Sequence, residues 1–219
     1  MQRTQIEAQL LEGCRRLAGK GFLNSSGDSF SLRIPGQTEM ILISGQKDWL
    51  HIDITDVRAV PFSTKDDFST LHAWIYQQRP DVGAVTLSSP RGARLLASFG
   101  GVLPPIFDEQ ARHIGRPSKP LRDKTHRDEI RRVFSRGSNV ALLGDQLLCL
   151  GMTCDRVLFN TELYEKCAQA YVIARACGGR IKFIPSWVQM IANHRLLKDE
   201  RIAALSYSEG RVPDAIHSY

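Results

Sequence analysis

Residues 83–90 read Gly83-Ala84-Val85-Thr86-Leu87-Ser88-Ser89-Pro90. A short apolar run ends here in small hydroxyl residues and a proline. Such a run, bounded by glycine and proline, predicts a buried strand, and Pro90 suits the first turn of a helix that follows. Just upstream, Ser69–Gln78 (STLHAWIYQQ) reads as a helix, and Arg79-Pro80-Asp81 as the turn after it. The local order is therefore helix, turn, buried strand, helix.

The flanking segments extend this order. Toward the N-terminus, Ile6, Leu10, Cys14 and Leu17 recur at helical spacing, and Gly19 and Gly21 end that amphipathic helix. Asn24–Asp28 (NSSGD) is a turn cluster. Ser29–Ile34 alternates like a strand, Glu39–Ile43 reads as a more buried one, and Val57–Pro61 as a third before the polar loop Ser63–Asp67. Toward the C-terminus, a helix near Arg127–Ser135 precedes two apolar runs, Asn139–Leu143 and Leu147–Leu150. Gly144-Asp145-Gln146 joins them as a hairpin. Leu158–Ala176 reads as a long, mostly buried helix, and Pro185–Leu197 as a final helix with Ser186 as its N-cap. Strands separated by helices, with antiparallel hairpins among them, predict an α/β or α+β layered domain.

Composition bounds the function. At 219 residues, 42% hydrophobic and 24% charged, the chain fits one soluble globular domain. No apolar run approaches the roughly 18–20 residues that a membrane-spanning helix needs. The segment MQRTQIEAQLLEG lacks a signal-peptide core, so the cytoplasm is the expected location. Cys14, Cys149, Cys154, Cys167 and Cys177 are odd in number, form no CxxC pair and read as buried reduced thiols. Trp74, Trp187 and Tyr164 occupy core-like helix positions. The net charge of +6 permits anion binding without indicating it. Its local source is Arg112–Arg136, a segment where aromatics do not interleave with the cations until Phe134. It reads as a solvated helix face or a subunit contact rather than as a base-stacking surface for nucleic acid.

Several marks, taken in order, resemble the class II aldolase/adducin family from about Ile6 to Ala192. They are Ser29-Phe30-Ser31-Leu32-Arg33, where the family has Asn-x-Ser-x-Arg; Ser44-Gly45-x-Lys47; Leu71-His72-x-x-Ile75-Tyr76 followed by Arg79-Pro80-Asp81-Val82-Gly83-Ala84-Val85; and Ser89-Pro90. The resemblance implies a single domain over residues 1–219 with an α/β/α three-layer fold and a mostly antiparallel central sheet. It also implies a homotetramer with sites between subunits.

The same residues depart from the chemistry that the resemblance implies. Family aldolases hold zinc through three histidines, and the metal polarises an enediolate while a glutamate moves the proton. The first two histidine positions are here Thr86 and Ser88, and neutral hydroxyls are poor zinc ligands. The third falls in the Gly144-Asp145-Gln146 turn, where Asp145 alone could ligate. The glutamate position is Phe68. The two phosphate-holding serines before it align with Asp66 and Asp67, whose charge would repel a phosphate. An anion-cradling backbone survives at Ser29, Ser44 and Gly45. His72 corresponds to the family's helix histidine, a packed residue and not a ligand. A metal site relocated to Asp108, Glu109 and His113 would need that stretch to be helical, with all three on one face.

The expectation is a non-catalytic homo-oligomeric binding or scaffold protein without zinc, for which the adducin head domain is the family precedent. The alternative is a divergent carbohydrate (sugar-phosphate) aldolase or lyase using relocated residues in the same cleft. An anion or nucleic-acid binder working through Arg112–Arg136 is the third reading.

Overall fold

The computed structural model describes residues 2–65, 67–123, 125–135 and 137–214, with the side chains of all of these except Asp67 and Phe68. Helix α1 (Arg3–Gly19) leads into strands β1 (Ser29–Arg33), β2 (Glu39–Ser44) and β3 (Arg58–Pro61). Helix α2 (Asp67–Gln78), strand β4 (Ala84–Ser88) and helix α3 (Arg91–Ser98) follow. After a loop with one π-type turn, Gln110–Ile114, come α4 (Arg127–Phe134), β5 (Val140–Leu143), β6 (Gln146–Gly151), α5 (Cys154–Ala176) and α6 (Ser186–Ser208). Among the described residues, six strands form one sheet in the order β3-β2-β1-β4-β6-β5, and every neighbouring pair is antiparallel.

Side-chain alternation makes this a three-layer molecule. Phe30, Leu32, Ile41, Ile43, Ala84, Val140, Leu142, Leu147 and Cys149 face one side of the sheet. They pack there with Leu10 and Leu17 of α1, Ala93 and Leu96 of α3, and Val157, Leu163 and Ala168 of α5. Met40, Leu42, Val85, Leu87, Ala141, Leu148 and Leu150 face the other side, against Leu71, Ile75 and Tyr76 of α2 and Ile130 and Phe134 of α4. β4 is buried along its whole length because it is central and covered on both faces. That is why its sequence is apolar or small throughout rather than alternating.

Helix α6 runs eleven residues past the expected end at Leu197 and docks late in its length. Asn193, Leu196, Glu200, Ala203 and Tyr207 are its buried positions. Arg79, at the turn before β4, ties it down: its guanidinium meets Asp81 at 2.6 Å and Glu200 at 3.1 Å, and also donates to Asn139 Oδ1 and the Phe134 carbonyl. Trp187 lies in the first turn, ahead of this docked face, and is 63% exposed, so its core assignment is corrected. Cys177 likewise is exposed, because α5 outruns the sheet and ends there in solvent. Cys14, Cys149 and Cys167 are buried and Cys154 is half-buried.

Candidate functional site

The antiparallel registry gathers most of the sequence-predicted positions at one end of the sheet. Ser29 lies opposite both Ser44 and Leu87, and Ser88 lies opposite Leu147. Ser29, Ser44-Gly45, Ser88 and the β5–β6 turn around Asp145 are therefore neighbours across four strands. Phe68, Asp66 and Asp67 belong to the stretch whose side chains lie outside the described residues.

A carboxylate that the motif reading passed over organises this end. Asp28, at the foot of β1, is fully buried. Its Oδ2 accepts the backbone N–H groups of Asn24 and Ser25, both at 2.8 Å. Its Oδ1 accepts the Ser89 hydroxyl at 2.7 Å and Gln146 Nε2 at 3.0 Å. One side chain thus joins the 24–28 turn, the end of β4 and the start of β6. The Gln146 amide packs against Gly27, where an added Cβ would lie 3.2 Å from Nε2. Four donors on one buried carboxylate satisfy it without a counter-ion.

The remaining positions are also committed. Thr86 is buried, with Oγ1 3.3 Å from Thr161 Oγ1 on α5. Ser88 donates weakly to the Leu147 carbonyl, at 3.5 Å. The Asp145 side chain is 70% exposed and sits 3.7 Å from Arg94 Nε, so it forms no hydroxyl–acid pair with Ser88. Ser44 Oγ accepts from Arg58 at 2.7 Å, and Gly45 takes a left-handed φ of +73° that a side chain would strain.

On the opposite face of β1, His72 bridges two serines. Its Nε2 lies 2.8 Å from Ser29 Oγ and its Nδ1 lies 2.7 Å from Ser31 Oγ, which also meets the Tyr76 hydroxyl at 2.8 Å. Complete burial lowers the His72 pKa to about 3. The ring is therefore neutral at physiological pH, with one nitrogen donating and the other accepting. It is a structural bridge, and it takes up the Ser29 hydroxyl.

Comparison with known proteins places this geometry. The family model described as "Class II Aldolase and Adducin N-terminal domain" matches residues 8–172. The chain belongs to the class II aldolase/adducin family. A curated relative, methylthioribulose-1-phosphate dehydratase from Pseudomonas savastanoi pv. phaseolicola, is 24% identical over 116 residues, 50% of this chain and 57% of that protein. Among solved structures, an L-fuculose 1-phosphate aldolase superimposes with a TM-score of 0.78 at 16% identity, over 90% of this chain and 98% of the other. The L-fuculose 1-phosphate aldolase from Glaciozyma antarctica PI12 gives 0.74 at 16% identity, over 95% and 92%. A putative aldolase/epimerase/decarboxylase from Klebsiella pneumoniae gives 0.74 at 16% identity, over 88% and 99%. At these identities the structural likeness carries the fold.

The donor chemistry of Thr86, Ser88 and Asp145, the residues that the resemblance sets at zinc positions, does not fit zinc. Two of the three side chains are alcohols bonded within the protein, and the third is a solvent-facing carboxylate paired with Arg94. Zinc takes three or four convergent imidazole, thiolate or carboxylate ligands. Among the described residues no group of three or more His, Cys, Asp or Glu is so placed. The other buried carboxylate on this side of the sheet, Glu165, accepts the Gly92 and Ala93 N–H groups at 2.7 and 3.0 Å and so caps α3.

The proposed relocation is not assembled either. Asp108 and Glu109 are exposed, whereas His113 is buried. His113 Nδ1 meets the Arg156 guanidinium, and its ring packs edge-on against Phe159. Desolvation, aided by Arg156 and Arg112, lowers its pKa to about 4. The basic segment is also divided among partners. Arg112 bonds Asp199 of α6 at 2.5 Å, while Arg127 and Arg131 lie over the Trp74 ring. Among the described residues no helix is long and apolar enough to cross a membrane.

Proposed function

We propose that this chain is a class II aldolase-fold protein that has given up zinc-dependent carbon–carbon chemistry and serves as a non-catalytic, homo-oligomeric binding or scaffold protein. The Asp28 network carries this reading. The end of the sheet that would hold a metal is instead cross-linked internally by Asp28, Ser89 and Gln146, with Thr86 and Ser88 turned to protein partners. Such a network stabilises a surface; it presents no activated nucleophile and no poised acid–base pair. The Ser44-Gly45 turn beside Arg58 retains the means to hold a small anionic ligand, and a tetramer is the assembly we expect.

The second reading, a sugar-phosphate lyase or aldolase working through other residues in the cleft, is favoured by the partial match to a methylthioribulose-1-phosphate dehydratase. Zinc titration by calorimetry, on protein purified without tag or chelator and assayed for metal content, separates the two. The first reading expects no metal above background and no uptake at micromolar zinc. About one tightly held zinc per chain, or cleavage of L-fuculose 1-phosphate by the zinc-treated protein, would overturn it.

A further inference from the structure

At the other end of the sheet, where β1 finishes and α5 begins, lies a cavity of about 380 Å³. That size is in the range of small-molecule sites. Ile6, Leu32, Met152 and Phe159 form its apolar wall, and Arg33 is among its lining residues. The Gly83 backbone and the Tyr207 hydroxyl, which donates to the Met152 carbonyl at 2.7 Å, close it off.

The state of Arg33 makes this more than a packing gap. Its guanidinium is sandwiched near the rings of Phe62, Tyr76 and Tyr207, 5.0–5.4 Å from their centroids. Nε donates to the Val82 carbonyl, and one terminal nitrogen, Nη2, donates to the carbonyls of Tyr76 and Arg79. These bonds lock the plane of the group. The other terminal nitrogen, Nη1, has no partner among the described residues and is not sealed from solvent. No carboxylate lies within ion-pair distance of Arg33 among the described residues, and burial lowers its pKa. A buried charge is ordinarily paired; this one has neutral carbonyls and ring faces in contact, and the buried Asp81 carboxylate acts on it only from beyond ion-pair distance.

The surroundings add positive potential. The cavity includes Thr153–Arg156, the first turn of a 23-residue helix, whose Thr153 cap satisfies the Arg156 N–H. The Cys154 and Asp155 N–H groups have no intrahelical acceptor, and the helix terminus carries partial positive charge. The two carboxylates of the lining, Asp155 and Asp214, both lie on exposed residues at the rim. Asp155 acts on Arg16, and Asp214 acts on Arg211. Of the charges in the lining, Arg33 and Arg156 are the cations and Asp155 and Asp214 the exposed carboxylates, and Ile6, Leu32, Met152 and Phe159 supply apolar wall.

We propose that this cavity is a binding site for a small organic carboxylate with an apolar tail, the carboxylate seated on Arg33 Nη1 and the tail along Ile6, Leu32, Met152 and Phe159. It is separate from the family's metal position, and it stands whether or not that position is catalytically silent. A carboxylate is preferred to phosphate because the slot offers one open guanidinium edge beside apolar walls, not a ring of donors.

The test is calorimetric or ligand-observed NMR titration of the full chain with hexanoate, with hexanol and inorganic phosphate as comparison probes. The expected result is saturable binding of hexanoate at one per chain and at least about tenfold weaker binding of hexanol, because a hydrogen bond to a charged partner is lost. Arg33→Gln should weaken hexanoate by about ten- to a hundredfold and leave hexanol unchanged. Arg33 also ties three carbonyls, so that variant could fail to fold. Gln9→Trp, which fills the exposed mouth on α1 and leaves every Arg33 bond intact, then decides: it should abolish binding with the thermal midpoint kept. Equal binding of hexanol and hexanoate would reduce the cavity to an apolar slot. Tighter binding of phosphate would give the wrong ligand class. Absence of saturation, or full hexanoate binding by the folded Gln9→Trp variant, would remove the site.

Discussion

Replacing Asp28 offers the sharpest check on how the family's metal end is held together. In Asp28→Ala, two backbone donors, Asn24 N and Ser25 N, lose a charged acceptor at 2.8 Å. Net contributions of charge-assisted bonds run about 1.5–3 kcal/mol each. Taking the low end for these half-buried groups gives about 3 kcal/mol. The Ser89 hydroxyl, on a residue only 5% exposed, adds up to about 2 kcal/mol if it finds no new partner, whereas Gln146 can turn to water. The expected loss is therefore about 3–5 kcal/mol.

Asp28→Asn should cost less, about 1–2 kcal/mol. The amide oxygen can keep both backbone N–H groups, while Ser89 rotates to accept and Gln146 flips to present its oxygen. With a urea m-value of about 2 kcal/mol/M, the alanine variant should unfold at roughly 1.5–2.5 M lower urea and the asparagine variant at roughly 0.5–1 M lower. Midpoints should be compared at one fixed protein concentration, because assembly stabilises by mass action. Hydrogen exchange at Asn24 and Ser25 should accelerate in the alanine variant before the rest of the molecule does. An Asp28→Ala midpoint within 0.3 M of the parent, with those two amides still protected, would refute the claim that this carboxylate holds the end together.

Gly83→Ala should be among the most damaging single-methyl additions, because its Cβ would fall 1.7 Å from the Tyr207 hydroxyl and 2.4 Å from the Met152 carbonyl. We expect about 3 kcal/mol or more of destabilisation and early exchange at the end of α6; a variant as stable as the parent in urea would contradict the packing described. Acid titration should expose His72. Its folded pKa, about 3, lies below the unfolded value near 6.5. The unfolded state therefore binds the extra proton as pH falls below about 6.5, and the stability present above that pH is lost on the way down. Between about pH 6 and 4.5 the parent should lose about 1.4 kcal/mol per pH unit more than His72→Gln, and parallel stability curves would count against the buried neutral ring. His113, buried beside Arg156 and lowered in the same direction by desolvation, adds a contribution of the same sign.

Much of the architecture was legible because it rests on periodicity. The strand at Ala84–Ser88, the helix before it and the β5–β6 hairpin appear within a residue or two of where apolar runs and glycine turns place them. The end of α6 was not legible, since its buried positions become visible only once Arg79 and Glu200 meet across more than a hundred residues. The exposure of Trp187 and Cys177 follows from the same fact. A helix pattern says which residues share a face, but not how far along its length the partner surface reaches.

The amino-acid sequence by itself determined the two hydroxyls, Thr86 and Ser88, and the lone carboxylate, Asp145, that the family resemblance sets at metal positions. Residue identity is local information, and ligand chemistry follows directly from it. Only the tertiary structure decided what those side chains do instead. Asp28 reads as an ordinary turn aspartate until antiparallel pairing carries Ser89 and Gln146 to its two sides. Arg33 reads as a strand-end cation until α2, α6 and the first turn of α5 close around it and leave one nitrogen open. Both depend on contacts between residues far apart in the chain, and burial, the property that makes a charge costly or useful, exists only after those contacts form.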